Sequence, residues 1–305
     1  MMDHKTYLQA MSPDRRAALT AKSNAAGVRH LALHLGVILL LGGLIALRVP
    51  FWPLLMLPQG VALVFLFTLQ HETTHKTPFA SETLNEWIGW FCGLVIAQPF
   101  LWFRYFHLKH HRYTNIAGQD PELDGLPKPN DWPALVRHLS TVDYWIGKIQ
   151  VLCLMSLGRI SADYLPERVH PRLRREAQGM LLIYIAAFLF TLFVSTALVW
   201  IWLVPLILGF PILRLYLLAE HGRCPQVADM FLNTRTTYTT SIVRFLAWNM
   251  PYHIEHHVFP QVPFHLLPRF HEEIRPHLGV TSDGYGAFAV EYVAGFESPA
   301  REDAL

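Results

Sequence analysis

The chain has 305 residues, of which 52% are hydrophobic and only 16% charged, with a mean hydropathy of +0.26. A soluble domain averages about 25% charged residues, so this chain is short of water-facing surface. A formal net charge of +2 gives no reason to expect nucleic acid as a partner, and Cys92, Cys153 and Cys224 are isolated, which fits a reducing compartment and argues against thiolate metal sites.

Residues 1–30 are polar and mixed and lack the apolar stretch and small-residue cleavage site of a signal peptide, so they are expected as a cytoplasmic N-terminal segment. Apolar runs near 31–47 and 54–70, separated by Arg48-Val-Pro-Phe-Trp-Pro53, form one pair; runs near 180–199 and 203–219 form a second. Crossing a bilayer takes roughly 20 residues, and the shorter runs can continue as helix into the histidines that follow. The pattern predicts an all-α integral membrane protein with four transmembrane helices as two hairpins. A fifth apolar stretch, 87–103, is interrupted by Gly89, Gly93 and Pro99 and rich in Trp and Phe. It reads as an interfacial or re-entrant segment, because a fifth full span would split the histidines between two compartments. Residues 260–278 read as an amphipathic segment capping the site. Residues 31–278 are thus one membrane domain, and 279–305 a C-terminal tail.

Positive charge precedes the first span (Lys5, Arg15, Arg16, Lys22, Arg29) and fills the stretch between the two pairs (Arg137, Lys148, Arg159, Arg168, Arg172, Arg174, Arg175). The two short turns carry only Arg48. By the positive-inside tendency both termini and the central stretch are cytoplasmic. Every histidine cluster then falls on that side, in a helical cytoplasmic cap.

Those clusters are His71-Glu-Thr-Thr-His75, His107-Leu-Lys-His110-His111 and His253-Ile-Glu-His256-His257, with Glu220-His221 closing the last apolar run. Offsets of three and four place side chains on one helix face, so each cluster aims its imidazoles at one point. The remaining histidines (His4, His30, His34, His138, His170, His265, His271 and His277) are scattered and are assigned to interfaces and surfaces. A zinc site closes with four ligands, or three when catalytic. Eight or nine imidazoles exceed that and imply two ions sharing the set, each with an open position. Metal-bound imidazole usually passes its second N–H to a carboxylate or carbonyl; Glu72, Asp120, Glu220 and Glu255 are the candidates, with Glu122 and Asp124 nearby. Trp87, Trp90, Phe91, Trp102 and Phe103 are candidates to line a substrate slot and equally to anchor at the membrane interface. His71-Glu72-x-x-His75 also spells the zinc metalloprotease motif, in which the Glu activates water. That reading, an intramembrane protease, leaves most of the clustered histidines unused. A non-enzymatic haem or metal carrier is the third class.

The clusters and their surrounding text, His107-Leu-Lys-His-His-Arg-Tyr-Thr-Asn115, Asp120-Pro-Glu122 and Asn249-Met-Pro-Tyr-His-Ile-Glu-His-His-Val-Phe-Pro260, resemble the membrane-bound fatty acid desaturase and hydroxylase family over about residues 54–278. The resemblance implies two iron ions (Fe2+) held by His71, His75, His107, His110, His111, His221, His253, His256 and His257, with O2 as co-substrate. It implies abstraction of hydrogen from an unactivated C–H bond of a lipid-like substrate within the membrane. Desaturation is the expected outcome, and hydroxylation of an alkyl or carotenoid substrate the alternative. The family often places an asparagine one turn before the histidine that follows the last span; here that place is Leu217, and Asn249 is the candidate to substitute through a water. With no G-x-G-x-x-G fingerprint and no fused redox domain in view, electrons are expected from a separate protein such as a ferredoxin.

Overall fold

The structure is a computed structural model that describes residues 2–125 and 127–296; residues 297–305 of the expected tail lie outside the described residues. It is predominantly helical. In chain order the helices are α1 (His4–Ala10), α2 (Pro13–Leu19), α3 (Asn24–Ala46), α4 (Trp52–Val64), α5 (Leu66–Thr74), α6 (Glu82–Val95), α7 (Phe100–Tyr113), α8 (Trp132–Ser140), α9 (Val142–Ser156), α10 (His170–Phe193), α11 (Val204–His221), α12 (Ser241–Leu246), α13 (His253–Val258), α14 (Leu267–Ile274) and α15 (Tyr285–Ala294). One short parallel strand pair ties β1 (Thr236–Thr237) to β2 (Thr281–Ser282).

Among the described residues four helical stretches are long and apolar enough to cross a membrane: Pro13–Ala46, Trp52–Thr74, Glu167–Phe193 and Val199–His221. Only 17% and 11% of the most apolar windows of the first and third are buried, against 56% and 39% for the second and fourth. The first and third therefore turn most of their apolar surface outward, a feature that in water would be a large unsatisfied patch and in lipid is the normal state. The second and fourth form the centre. There α4 and α11 cross at two glycines. A Cβ on Gly60 would stand 2.0 Å from the Pro205 carbonyl oxygen, and one on Gly209 2.4 Å from the Gly60 carbonyl oxygen. Close backbone approach through small residues is the usual way apolar helices associate without a hydrophobic driving force. Pro58 and Pro211 lie inside these two helices.

Element ends follow local chemistry. Ser23 caps α3, its side chain accepting the Ala26 N–H, so that helix starts earlier than the apolar run near 31–47. The third run, read near 180–199, forms helix from His170 to Phe193 and stops there; the Ser195 hydroxyl turns back to accept the Ala197 N–H before a wide turn at Val199–Leu203 leads into α11. The 87–103 stretch is two helices, α6 and α7, broken at Ile96–Pro99, where Ala97 takes a left-handed conformation (φ 55°). Glu176 of α10 accepts the first free N–H groups of α7, from Phe100 and Leu101. Helix α6 packs along α5, and Gln70 Nε2 donates to the Gln98 carbonyl at the break. Residues 2–30 are not a free segment: His4 pairs with Asp229 and Arg15 with Glu273, which seats α1 and α2 against the C-terminal part of the chain.

Candidate metal centre

Three helices deliver their C-terminal ends to one place. His71 and His75 close α5, His107, His110 and His111 lie in the last turns of α7, and His221 is the last residue of α11. The short α13 supplies His253, His256 and His257 from the opposite side. Helix C-termini carry partial negative charge, so the converging ends favour a cation.

The nine imidazoles sort into two groups. Ring nitrogens of His71, His75, His107, His111 and His256 lie within 4.8 Å of one another, and so do those of His110, His221 and His257. His253 joins the second group, its Nε2 3.2 Å from Nε2 of His221 and 3.1 Å from Nε2 of His257. The rings of His111 and His257 stack at 4.1 Å and link the groups.

The inner nitrogens face one another closely: Nε2 of His75 and His107 at 2.9 Å, of His110 and His221 at 3.2 Å, of His111 and His256 at 3.1 Å. The outer nitrogens of His110, His221 and His257 are committed elsewhere. His110 Nδ1 donates to Asp120 at 2.9 Å, and His221 Nδ1 to the Asn233 carbonyl at 3.3 Å. His257 Nδ1 meets the Thr114 hydroxyl at 3.1 Å. His253 Nδ1 lies 3.4 Å from Glu220, and His256 Nδ1 3.4 Å from Glu72. An Nδ1–H given to an outer acceptor leaves Nε2 as a bare lone pair. His110 and His221 thus point two lone pairs at each other across 3.2 Å, which repel unless a cation lies between them. His71 makes the same case from the other group: both of its ring nitrogens are buried without a hydrogen-bond partner. With metal–imidazole bonds of about 2.1 Å, adjacent ligand nitrogens stand roughly 3 Å apart. The residues present fit two transition-metal ions.

Burial keeps these rings in the neutral form that binds metal. It holds His107, His111, His253, His256 and His257 well below the ordinary value and His75 at about 3. His110 goes the other way. Burial lowers it too, but Glu122, with Nδ1 3.7 Å away, and Asp120 outweigh burial and raise it.

Asp120 does more than orient His110. Its carboxylate also accepts the backbone N–H of Asn115 and Glu122, closing the turn after α7. Asn115, left-handed at φ 61°, ties that turn to the carbonyls of Cys224 and Asn233. Glu255 is bound elsewhere: it takes the Nδ1–H of His271 at 2.5 Å and the Thr236 hydroxyl at 2.6 Å. Two residues along from His253 on a helix, it projects to the opposite side. Asn249, left-handed at φ 60°, spends its amide N–H on the Phe264 carbonyl. Asn233 and Lys128, whose ammonium donates to the His221 carbonyl, carried no sequence signal, and Thr114 stood in the sequence only as part of the text after the second cluster; all three meet the histidines through tertiary folding.

A cavity of about 590 Å3 opens beside the centre and reaches His71, His107, His110, His221 and His253. Phe67, Trp102, Phe103, Phe106, Tyr144 and Leu217 wall it. Of the five aromatic residues singled out in the sequence, Trp102 and Phe103 line this cavity. Trp87 and Trp90 lie instead at a separate surface cleft with Arg172, Arg175 and Glu176, and Phe91 is exposed on α6.

Four membrane-competent helices and nine converging imidazoles able to hold metal define a class, the histidine-rich membrane proteins. The family model for "Fatty acid desaturase" matches residues 46–288, and the chain belongs to that family. Similar proteins include the sphingolipid delta(4)-desaturase DES1 of Rattus norvegicus and the sphingolipid delta(4)-desaturase/C4-monooxygenase DES2 of Mus musculus, each 26% identical over 65% of this chain and 58% of the relative. The sn-1 oleoyl-lipid 12-desaturase of Arthrospira platensis is 24% identical over 70% of this chain and 66% of its own. The chain therefore spans less than two thirds of the length of these relatives.

Proposed function

We propose that the protein is an O2-dependent di-iron oxidoreductase that removes hydrogen from an unactivated C–H bond of a lipid-like substrate, with desaturation as the outcome. The observation that carries this reading is the close approach of inner ring nitrogens, at 2.9–3.2 Å, in two buried imidazole groups, with the outer nitrogens of His110, His221 and His257 committed elsewhere. His71, His75, His107, His111 and His256 would hold one ion, and His110, His221, His253 and His257 the other. Bound iron supplies the capacity to reduce O2 and to oxidise carbon. The protein's share is positional. Asp120, Asn233 and Thr114 fix ring orientation, with Glu72 and Glu220 standing behind His256 and His253, and the aromatic walls keep the reacting carbon close and water away.

Electrons come from a separate donor, and the substrate, membrane-borne, enters beside the bilayer. The distribution of Lys and Arg supports a multi-pass arrangement of two helical hairpins, with both termini and a helical cap holding the metal centre on the cytoplasmic face. Hydroxylation on the same site is the second reading, favoured by one specific observation: a relative whose name couples desaturase with C4-monooxygenase. The protease reading loses its base, since Glu72 is buried, bonded by Thr77 and Phe264, and beside His256 rather than open to water.

The test is metal analysis with product analysis. Protein purified with iron should hold about two irons per chain, consume O2 with a reductant and convert a lipid pool to products two hydrogens lighter. One zinc per chain and no O2 uptake would overturn the reading.

A further inference from the structure

A surface cleft of about 290 Å3 lies apart from the metal centre, where α6 and the start of α7 meet the first turns of α10. Its walls differ in kind. Trp87, Trp90, Phe100 and Leu101 form the apolar side, and Arg172 and Arg175 the charged one. Trp87 is 66% exposed and meets Trp90 edge to face at 6.3 Å, so the mouth of the cleft is lined with indole.

The acids of the cleft are engaged by other partners. Glu86 accepts from Arg104 at 3.1 Å. Glu176 takes the free N–H groups of Phe100 and Leu101 and so neutralises the positive end of α7. Among the described residues neither Arg172 nor Arg175 forms an ion pair, and both are exposed. Two free guanidinium forks beside indole rings suit a phosphate, which arginine binds through paired hydrogen bonds. The surface below decides which phosphate. Arg175, Leu182, Leu189 and Phe193 follow at offsets of seven, seven and four, which is one face of α10. Leu182, Ile185, Leu189 and Phe193 are 45–80% exposed along the third membrane-competent stretch. One leaflet of hydrocarbon, about 15 Å, equals roughly ten residues of helix. An acyl chain hanging from Arg175 therefore runs past Leu182 and Ile185. A water-borne acidic protein would leave that stripe and Trp87 unused.

Resting on the membrane placement above, and independently of the chemistry at the metals, we propose that this cleft binds an anionic phospholipid of the surrounding bilayer, with its phosphate held by Arg172 and Arg175 and its acyl chains laid along α10. The site joins two elements. Glu176, next in sequence to Arg175, caps the helix whose last turns carry His107, His110 and His111. A bound lipid therefore holds the third span against the start of α7 and stabilises the folded protein by mass action.

The test adds phosphatidylglycerol or phosphatidylcholine with the same acyl chains to the full chain in a neutral detergent, read by thermal shift and by lipid retained in native mass spectrometry. Phosphatidylglycerol should bind about tenfold more tightly and raise the melting temperature, as expected for two arginines facing an anionic headgroup. The double variant Arg172→Gln with Arg175→Gln should bring the two lipids within about twofold of each other. Without lipid it should melt like the parent, because neither arginine holds an ion pair within the protein. Arg159→Gln, exposed on the same basic stretch but outside the cleft, should keep the preference. Equal binding of the two lipids, or a double variant that still prefers the anion, would overturn the proposal. So would an Arg159→Gln protein that loses the preference as fully, since the attraction would then be diffuse. Inorganic phosphate or polyglutamate that reproduces the thermal shift would replace the lipid with free phosphate or an acidic protein, and overturn it equally. Failure of the membrane placement shows separately, as protein that stays monodisperse in water without detergent.

Discussion

The carboxylate of Glu72 lies 3.4 Å from Nδ1 of His256, so a residue of the first histidine cluster faces an imidazole of the third. Its other oxygen accepts the Thr77 hydroxyl at 2.9 Å and the Phe264 N–H at 3.2 Å, which clamps α13 against the end of α5. Glu72→Gln keeps an acceptor beside His256 and should retain iron with reduced turnover. Glu72→Ala should lower iron affinity about 10- to 100-fold, as loss of such a partner typically does. Iron retained per chain after dialysis against a chelator, together with product formation, checks both. A Glu72→Gln protein with full metal and no turnover at all would favour a role for Glu72 in the chemistry itself.

Asp120 should be the more sensitive of the two. It fixes His110 and also closes the Asn115–Glu122 turn through two backbone N–H groups. Asp120→Asn loses the charge and turns a donor toward His110, so iron affinity should fall at least as far as in Glu72→Ala, with one ion lost before the other. Iron titration followed by spectroscopy of the remaining ion would show a mixed one-iron form. Simultaneous loss of both ions would contradict the division into two groups.

The histidine clusters could be read from the sequence because offsets of three and four are a one-dimensional record of a helix face. The four membrane-competent helices were legible for a similar reason: lipid selects composition over a length of about 20 residues. What escaped was decided in three dimensions. Glu255 stands beside the third cluster in sequence, yet the helix turns it to His271. Lys148 reads as one more positive charge marking the cytoplasmic side, and only packing shows it buried in the cavity. The third span ends at Phe193, two residues before a Ser195 hydroxyl that accepts the Ala197 N–H, a local feature that hydropathy does not register.

Acid should weaken the protein in a defined direction. His75 is neutral when folded down to about 3, and His107, His111, His253, His256 and His257 are likewise held well below 6.5 by burial. The unfolded chain takes up these protons as pH falls through 6.5, so it binds more protons than the native state and stability falls with pH below that point. His110 opposes this, its raised value adding stability below 6.5 that is lost as pH rises, but it is one ring against six. The melting temperature and retained iron should be flat above pH 7 and drop together between about 6.5 and 4. A protein whose stability rises on acidification through that range would contradict the burial assigned to these rings.

The α4–α11 crossing leaves no room for a side chain. At Gly60 an added Cβ meets backbone, the Pro205 carbonyl oxygen at 2.0 Å, and backbone moves only with its helix. Gly60→Ala should cost about 1–3 kcal/mol, the usual range for overpacking, and lower iron content as α11 carries His221 out of place. Gly36→Ala, on the outward face of α3 with nothing within 4 Å of the added Cβ, is the control and should be neutral or slightly stabilising. Thermal melting in detergent measures both.

His271 separates structural histidines from those proposed to bind metal. It is buried at 4% exposure, holds Glu255 at 2.5 Å and packs on Tyr252, but stands outside both imidazole groups. His271→Ala leaves the Glu255 carboxylate buried with only the Thr236 hydroxyl, so stability should fall by about 3 kcal/mol while protein folded in the cold still binds two irons. His277→Ala removes only ring contacts with Tyr7 and Phe231 and should cost about 1 kcal/mol. His110→Ala and His257→Ala should do the reverse, losing iron and turnover with a smaller change in the melting temperature of the metal-free protein. If His271→Ala instead sheds iron at temperatures where it remains folded, then Glu255 and His271 belong to the metal site and the division of the histidines must be redrawn.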